Sequence, residues 1–187
     1  MRAGHDLDAI VRKYRRDNLA KASRELDAFR TMTFDDAVVH ASLAERFDGR
    51  RNRWLRYDHQ RRIPRASLEK VQRRLRKAPL KQCGTFHELL TVVDEATEEV
   101  PKVGELMVYD TALRIGANLG LEPDRVYLHA GTRVGARKLG FGASAHWIDR
   151  RDLPETLRSL PPWQVEDILC IFKAWLSDDI GRTAKCA

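Results

Sequence analysis

The sequence predicts an all-α protein, and three observations carry that expectation. Apolar residues recur at helical spacing through most of the chain, capping residues and Pro or Gly stops bracket those runs, and alternating strand patterns are scarce. With 187 residues, 43% of them hydrophobic, the chain can bury one sizeable core, and its length favours a single helical domain over residues 1–180 with a C-terminal tail at 181–187.

The elements follow in order. Leu7, Ile10, Val11, Tyr14, Leu19, Ala22, Leu26 and Phe29 form one stripe of a long, otherwise polar helix from Asp6 to Phe29. Thr33 with Asp36 resembles a capping box and opens a helix through Val38, Val39, Leu43 and Phe47 that Gly49 ends. Ser67 caps a helix carrying Leu68, Val71 and Leu75, which Pro79 closes. Thr85 and Glu88 make a full capping box, after which Phe86, Leu89, Leu90 and Val93 share a face until Pro101. The run from Glu105 to Leu119 has Gly120 as its C-cap, Arg133 to Leu139 is a short helix stopped by Gly140, and Trp163 to Leu176 is amphipathic after Pro161 and Pro162. Arg125 to His129 is the best extended candidate, but one isolated run makes no sheet. No repeat of fixed period and no low-complexity linker interrupts this order.

Charge is unevenly placed. Between Arg50 and Lys77 there are twelve bases against the two acids Asp58 and Glu69, a local +10, whereas the rest of the chain sums to −3 and the whole to +7. Positive charge interleaved with Trp54, Tyr57 and His59 suits a polyanion, because each neutralised phosphate releases condensed counterions. A solvated Arg-rich helix face, or an acidic protein partner, is the competing explanation. Within the segment, His59-Gln60-Arg61-Arg62 is an attractive phosphate or base contact, although one of the arginines could instead brace the fold against Asp58, Asp94 or Asp110.

Other chemistries find less support. No run approaches the ~18 uninterrupted apolar residues of a membrane span, and no apolar stretch follows the charged N-terminus, so no membrane association and a cytoplasmic location are expected. The three cysteines, Cys83, Cys170 and Cys186, lack the spacing of a metal clip, and Cys170 inside Ile168-Leu169-Cys170-Ile171-Phe172 reads as a reduced core thiol. The six histidines are scattered without a metal-ligand spacing, so neither a metal nor any cofactor is expected. Gly140-Phe141-Gly142 has neither the preceding strand nor the following Lys-Ser/Thr of a nucleotide-binding loop.

The most informative stretch is Val100-Pro101-Lys102-Val103-Gly104 leading straight into the helix from Glu105. A tight turn entering a helix directs backbone N–H groups and the positive helix end at one point, where a phosphate can sit. Together with the helices on either side it forms a helix-hairpin-helix unit at about residues 86–119. This turn, and Arg133-Val134-Gly135-Ala136-Arg137-Lys138-Leu139-Gly140 following Val126-Tyr127-Leu128-His129, resemble two elements of the helix-hairpin-helix DNA glycosylase superfamily, the endonuclease III-like fold. The resemblance covers about the middle third of the chain and implies a glycosylase-like helical fold that grips DNA through Lys102, Val103, Gly104 and Glu105, with Arg133 and Arg137 on the second resembling element. The basic Arg50 to Lys77 surface, Arg61 and Arg62 included, is expected from its charge to extend the track.

Departures from that pattern bear on catalysis. Lys102 stands where the family has its first hairpin Gly, Leu106 stands where its bifunctional members carry a catalytic Lys, and the iron-sulfur cysteines are absent. The family's catalytic Asp should fall near Leu128 to Ala130, where His129 is the only polar residue, and an imidazole cannot replace a carboxylate beside a developing cation. Asp110 is the other candidate catalytic group, with Arg114 at i+4 placed to form a structural ion pair. A nucleic-acid-binding module, DNA repair being its expected context, is therefore the leading reading. The alternatives are a diverged glycosylase or strand-cleaving enzyme using His129 and Asp110, and a regulatory domain binding an acidic protein.

Overall fold

The computed structural model describes residues 6–176, so the expected tail at 181–187 and Cys186 lie outside the described residues. Within them the chain is mainly helical, as the capping and periodicity signals require. The α-helices are α1 (Leu7–Tyr14), α2 (Ala20–Thr31), α3 (Phe34–Ser42), α4 (Arg65–Leu75), α5 (Phe86–Thr97), α6 (Glu105–Leu119), α7 (Ala130–Lys138), α8 (Glu155–Arg158) and α9 (Pro162–Ile171). The strands are β1 (Glu45–Asp48), β2 (Arg53–Arg56), β3 (Val126–Tyr127) and β4 (Trp147–Ile148). The described residues gather into two compact units, residues 6–21 with 123–176, and residues 22–122.

In the first unit, Leu7, Ile10, Val11 and Tyr14 of α1 meet Val126, Leu128, Ala136, Leu139, Leu157, Ile168 and Leu169 in one buried cluster. Each large apolar side chain removed from water there contributes about 1.5–3 kcal/mol. Tyr14 is also tied down at its polar end, where its hydroxyl donates to Asp167 Oδ2 at 2.8 Å. A Cβ on Gly135 would stand 2.4 Å from the carbonyl oxygen of Leu169, so the missing side chain is what lets α7 approach α9.

In the second unit, α5 and α6 pack against each other. Gly116 supplies the close approach, since a Cβ there would lie 2.7 Å from Leu121 O and 3.3 Å from the Phe86 ring. Leu43, Ala44, Ile63, Leu68 and Met107 form a smaller buried cluster against which Val39 and Val103 pack. Thr85 and Glu88 make the capping box that the sequence predicts, and Gly120 closes α6 in the left-handed conformation at φ 74°.

Several expectations need correction. The helix opened by Thr33 stops at Ser42 instead of running through Phe47, because Ala44 turns left-handed at φ 54° and the chain enters a β-hairpin. That hairpin pairs Phe47 with Trp54 and Asp48 with Arg53, and Asn52 at φ 49° helps close it. The long first helix is broken in register by a π-type turn over Arg15–Leu19, which displaces Leu19 to the margin of its cluster. Ser67 is no cap: Pro64 precedes the helix, and Ser67 is buried within the first turn of α4. The extended run after Arg125 does find a partner, with Val126 opposite Ile148 and Tyr127 opposite Trp147. α7 begins at Ala130, ahead of Arg133, and α9 ends at Ile171 rather than Leu176.

Candidate functional site

The turn between α5 and α6 is built by its own backbone. Val103 N–H donates to Val100 O at 3.2 Å, closing a β-turn with Pro101 and Lys102 at its corners. Lys102 takes φ +64°, the left-handed conformation that a positive-φ turn position demands and that glycine adopts most cheaply. Gly104, by contrast, is extended at φ −131° and caps α6 with no side chain. A Cβ at Gly104 would meet nothing within 4 Å, so open space adjoins the start of α6. Lys102, Gly104 and Glu105 are exposed, while Val103 turns inward onto the cluster of Leu43, Ala44, Ile63, Leu68 and Met107.

The basic segment divides into braces and exposed charges. Arg56 donates to Ile63 O at 3.0 Å, Arg65 bridges Glu45 and Glu69 at 3.0 Å each, and Arg74 donates to Ala96 O at 3.2 Å and Glu98 O at 2.6 Å, steadying the C-terminal end of α5. Arg61 pairs with Asp58 at 2.8 Å, but both side chains are mostly in water, where such a bond holds little. Arg50, Arg53, Arg62, Arg73, Arg76 and Lys77 are exposed, and among the described residues their side chains make no hydrogen bond or ion pair. Beside them the hairpin stacks Trp54 on His40 at 3.3 Å between ring centroids and leaves Phe47 46% exposed. A groove next to α4 is no phosphate path, because Glu95, Glu98 and Glu99 line it with Arg74 and Lys77.

Asp110 sits in the second unit at the centre of a polar cluster. Its Oδ2 accepts from His59 Nε2 at 2.9 Å, Gln60 Nε2 at 2.6 Å and Arg114 Nη2 at 3.1 Å. The brace against Asp110 from the basic segment thus comes from His59 and Gln60 and not from an arginine of that segment. Arg114 is buried and lies 4.0 Å from the Tyr57 ring centroid. Burial pushes the Tyr57 phenol up to about 12, against a smaller opposing pull from Arg114. Burial lowers the Arg114 guanidinium, but Asp110 and Tyr57 outweigh it and raise it overall. Gln60 Oε1, Thr111 Oγ1 and Arg114 Nη1 are buried and hydrogen-bond to nothing among the described residues.

His129, Arg133 and Arg137 belong to the first unit, so the candidate residues divide between the two. Arg137 is exposed and Arg133 half-buried on α7. His129 is the N-cap of that helix: its Nδ1 accepts from Gly131 N–H at 3.3 Å, and its own N–H donates to Thr132 Oγ1 at 2.7 Å. With Nδ1 accepting, the ring proton sits on Nε2, which donates to the buried Glu166 Oε1 at 2.5 Å. Cys170, one turn beyond Glu166 on α9, is half-buried and not a core residue, and donor atoms of His129, Glu166 and Cys170 all lie within 4.8 Å of one another. Sequence reasoning missed this trio because its one local signal is the i, i+4 spacing of Glu166 and Cys170.

No protein-family model, curated protein or solved structure matches the chain.

Proposed function

We propose that the unit of residues 22–122 binds nucleic acid through its phosphate backbone, with DNA as the expected ligand. One observation carries this reading: Ile63 and Val103 enter the same small apolar cluster, so the exposed Arg61-Arg62 turn and the exposed Lys102-Gly104 turn are anchored on one support. The open start of α6 offers a phosphate the positive end of a helix and the Lys102 ammonium, and the exposed arginines continue the positive surface. Exposed Phe47 adds an aromatic face on which an unpaired base can stack. Asp110 and His129 both have internal hydrogen-bond partners, which favours binding over strand cleavage.

The test is fluorescence anisotropy of labelled single- and double-stranded DNA and of RNA, titrated with the whole protein across a series of salt concentrations. Affinity is expected to fall steeply with salt and to change little with base sequence. Absence of binding at low salt, or affinity indifferent to salt, overturns the reading. Incubation of an abasic-site duplex in the same buffers checks for strand cleavage; a nicked product lost in Asp110→Asn would make the protein an enzyme instead.

A further inference from the structure

We infer that the β1–β2 hairpin selects single-stranded nucleic acid by stacking an unpaired base on Phe47, an inference that rests on the phosphate-binding reading above. The register sets Phe47 opposite Trp54, and directly opposed residues of an antiparallel pair share one face of the ribbon. That face is braced from within. His40 lies flat against Trp54, with 3.3 Å between ring centroids and planes 8° apart, and Phe47 stands edge-on to Trp54 at 5.6 Å and 60°. Trp54 is half-buried, whereas the ring of Phe47 is left in water. Gly49 helps to keep it bare, since a Cβ there would come within 4.0 Å of the Phe47 ring edge and begin to cover it. The base of the hairpin is fixed too: Tyr57 N–H donates to Ala44 O at 2.9 Å, and Ala44 belongs to the buried cluster against which Val103 packs. The platform therefore hangs from the same support as the Arg61-Arg62 and Lys102-Gly104 turns, and being preformed it loses little freedom on binding.

Charge around the ring suits a phosphate chain. Glu45 shares the face by its i, i+2 spacing from Phe47, but its carboxylate is already engaged, with Oε2 3.1 Å from His40 Nδ1 and Oε1 accepting from Arg65 Nη1 at 3.0 Å. Arg50 and Arg53 are exposed at the turn, and among the described residues their side chains make no hydrogen bond or ion pair. Arg51 reaches Asp48 at 3.3 Å yet remains 64% exposed. A single strand uses such a pairing in full, laying a base face on the ring and its phosphates on the guanidinium groups. A duplex keeps its base faces stacked inside and can use the cations alone. Nor does Phe47 stand where a wedge between base pairs would stand. It sits in the body of β1, with the Asp48–Arg53 pair beyond it, and the turn that would have to enter a base step carries Gly49, Arg50, Arg51 and Asn52 without an apolar side chain.

The test uses the full-length chain and three labelled DNA probes of equal length, followed by fluorescence anisotropy at one low salt concentration: a mixed-sequence single strand, its duplex, and a strand whose sugars carry no bases. The wild-type protein is expected to bind the single strand about tenfold more tightly than the abasic strand, which matches it in charge. Phe47→Ala is expected to weaken single-strand binding about tenfold more than duplex binding and to bring the single strand level with the abasic one. Phe47→Leu, which keeps apolar bulk without the ring, is expected to do the same and guards against a hairpin unsettled by the smaller side chain. Phe47→Tyr, which keeps the ring, is expected to retain the discrimination. Equal wild-type affinity for the single strand and the abasic strand, or discrimination that survives Phe47→Ala and Phe47→Leu, overturns the inference and leaves phosphate binding standing. A larger loss on the duplex than on the single strand also overturns it, by making the ring a wedge between base pairs. Binding of none of the three probes overturns the phosphate-binding reading itself, and this inference with it.

Discussion

The guanidinium of Arg114 lies 4.0 Å from the ring centroid of Tyr57 while its Nη2 donates to Asp110 at 3.1 Å, so one buried cation joins an aromatic face to a carboxylate. Asp110 and Arg114 are spaced i, i+4 on α6, and Asp110 receives two further donors from His59 and Gln60. Arg114→Leu leaves that carboxylate short of its countercharge in a site only 15% exposed, and is expected to cost about 3 kcal/mol. Asp110→Asn in the same background should recover part of the loss, because the uncompensated charge is then gone. Urea unfolding of the two single variants and the double variant checks this. Single losses that simply add would mean that the two residues are not coupled.

Tyr57 makes stability sensitive to alkali. Burial holds its phenol up to about 12, whereas the unfolded chain releases the proton near the ordinary ~10. The contribution is therefore intact below pH ~10 and is lost as pH rises toward 12, an effect on the order of 2–3 kcal/mol for one buried phenol. Tyr127, raised to about 12 by burial and then by Asp124, and Tyr14, raised by burial and then by Asp167, act in the same direction in the other unit. Thermal melts from pH 8 to 11 should show a decline that is shallower in Tyr57→Phe than in the wild-type protein. Parallel declines would exclude Tyr57 as a contributor.

What the sequence disclosed was local. Thr85 and Glu88, Gly120 after Leu119, and the Asp110–Arg114 spacing are each settled within one or two turns of helix, and the structure has all three. The β-hairpin escaped because its apolar residues, Phe47 and Trp54, sit in an Arg-rich stretch whose alternation is masked by charge. The pairing of Val126 with Ile148, the donation of Gln60 to Asp110 and the meeting of His129 with Glu166 depend on packing that brings together residues distant in the chain. No periodicity encodes such contacts. Lys102 lies between these cases: its position in a turn was legible from Pro101 and Gly104, but its left-handed backbone was not.

Lys102 can be made to separate turn geometry from charge. At φ +64° a lysine pays a conformational cost that glycine avoids, so Lys102→Gly is expected to stabilise the protein by up to about 1 kcal/mol. The same substitution removes an ammonium beside the open end of α6, and should weaken nucleic-acid binding while lowering the slope of log affinity against log salt by about one. Arg62→Ala should lower the slope similarly with stability unchanged, since its exposed side chain braces nothing among the described residues. Chemical denaturation and anisotropy on the same preparations read both quantities. A Lys102→Gly protein that is more stable and binds as tightly as before would remove the turn from the interface.

Gly104 and Gly135 make opposite demands on an added methyl group. A Cβ on Gly135 would stand 2.4 Å from Leu169 O and 3.0 Å from Leu169 C, both backbone atoms that cannot rotate away. Gly135→Ala must therefore push α7 and α9 apart, and is expected to cost about 1–3 kcal/mol or more. Gly104 has φ −131° and nothing within 4 Å of the same position, so Gly104→Ala should leave stability unchanged or slightly improved. Its effect should surface in binding, because the added methyl occupies the open space through which a phosphate would reach the first N–H groups of α6. Denaturation midpoints give the first comparison and anisotropy at low salt the second. If Gly104→Ala binds nucleic acid like the wild-type protein, the phosphate does not approach α6 from that side, and the exposed arginines of the 50–77 segment must carry the contact without it.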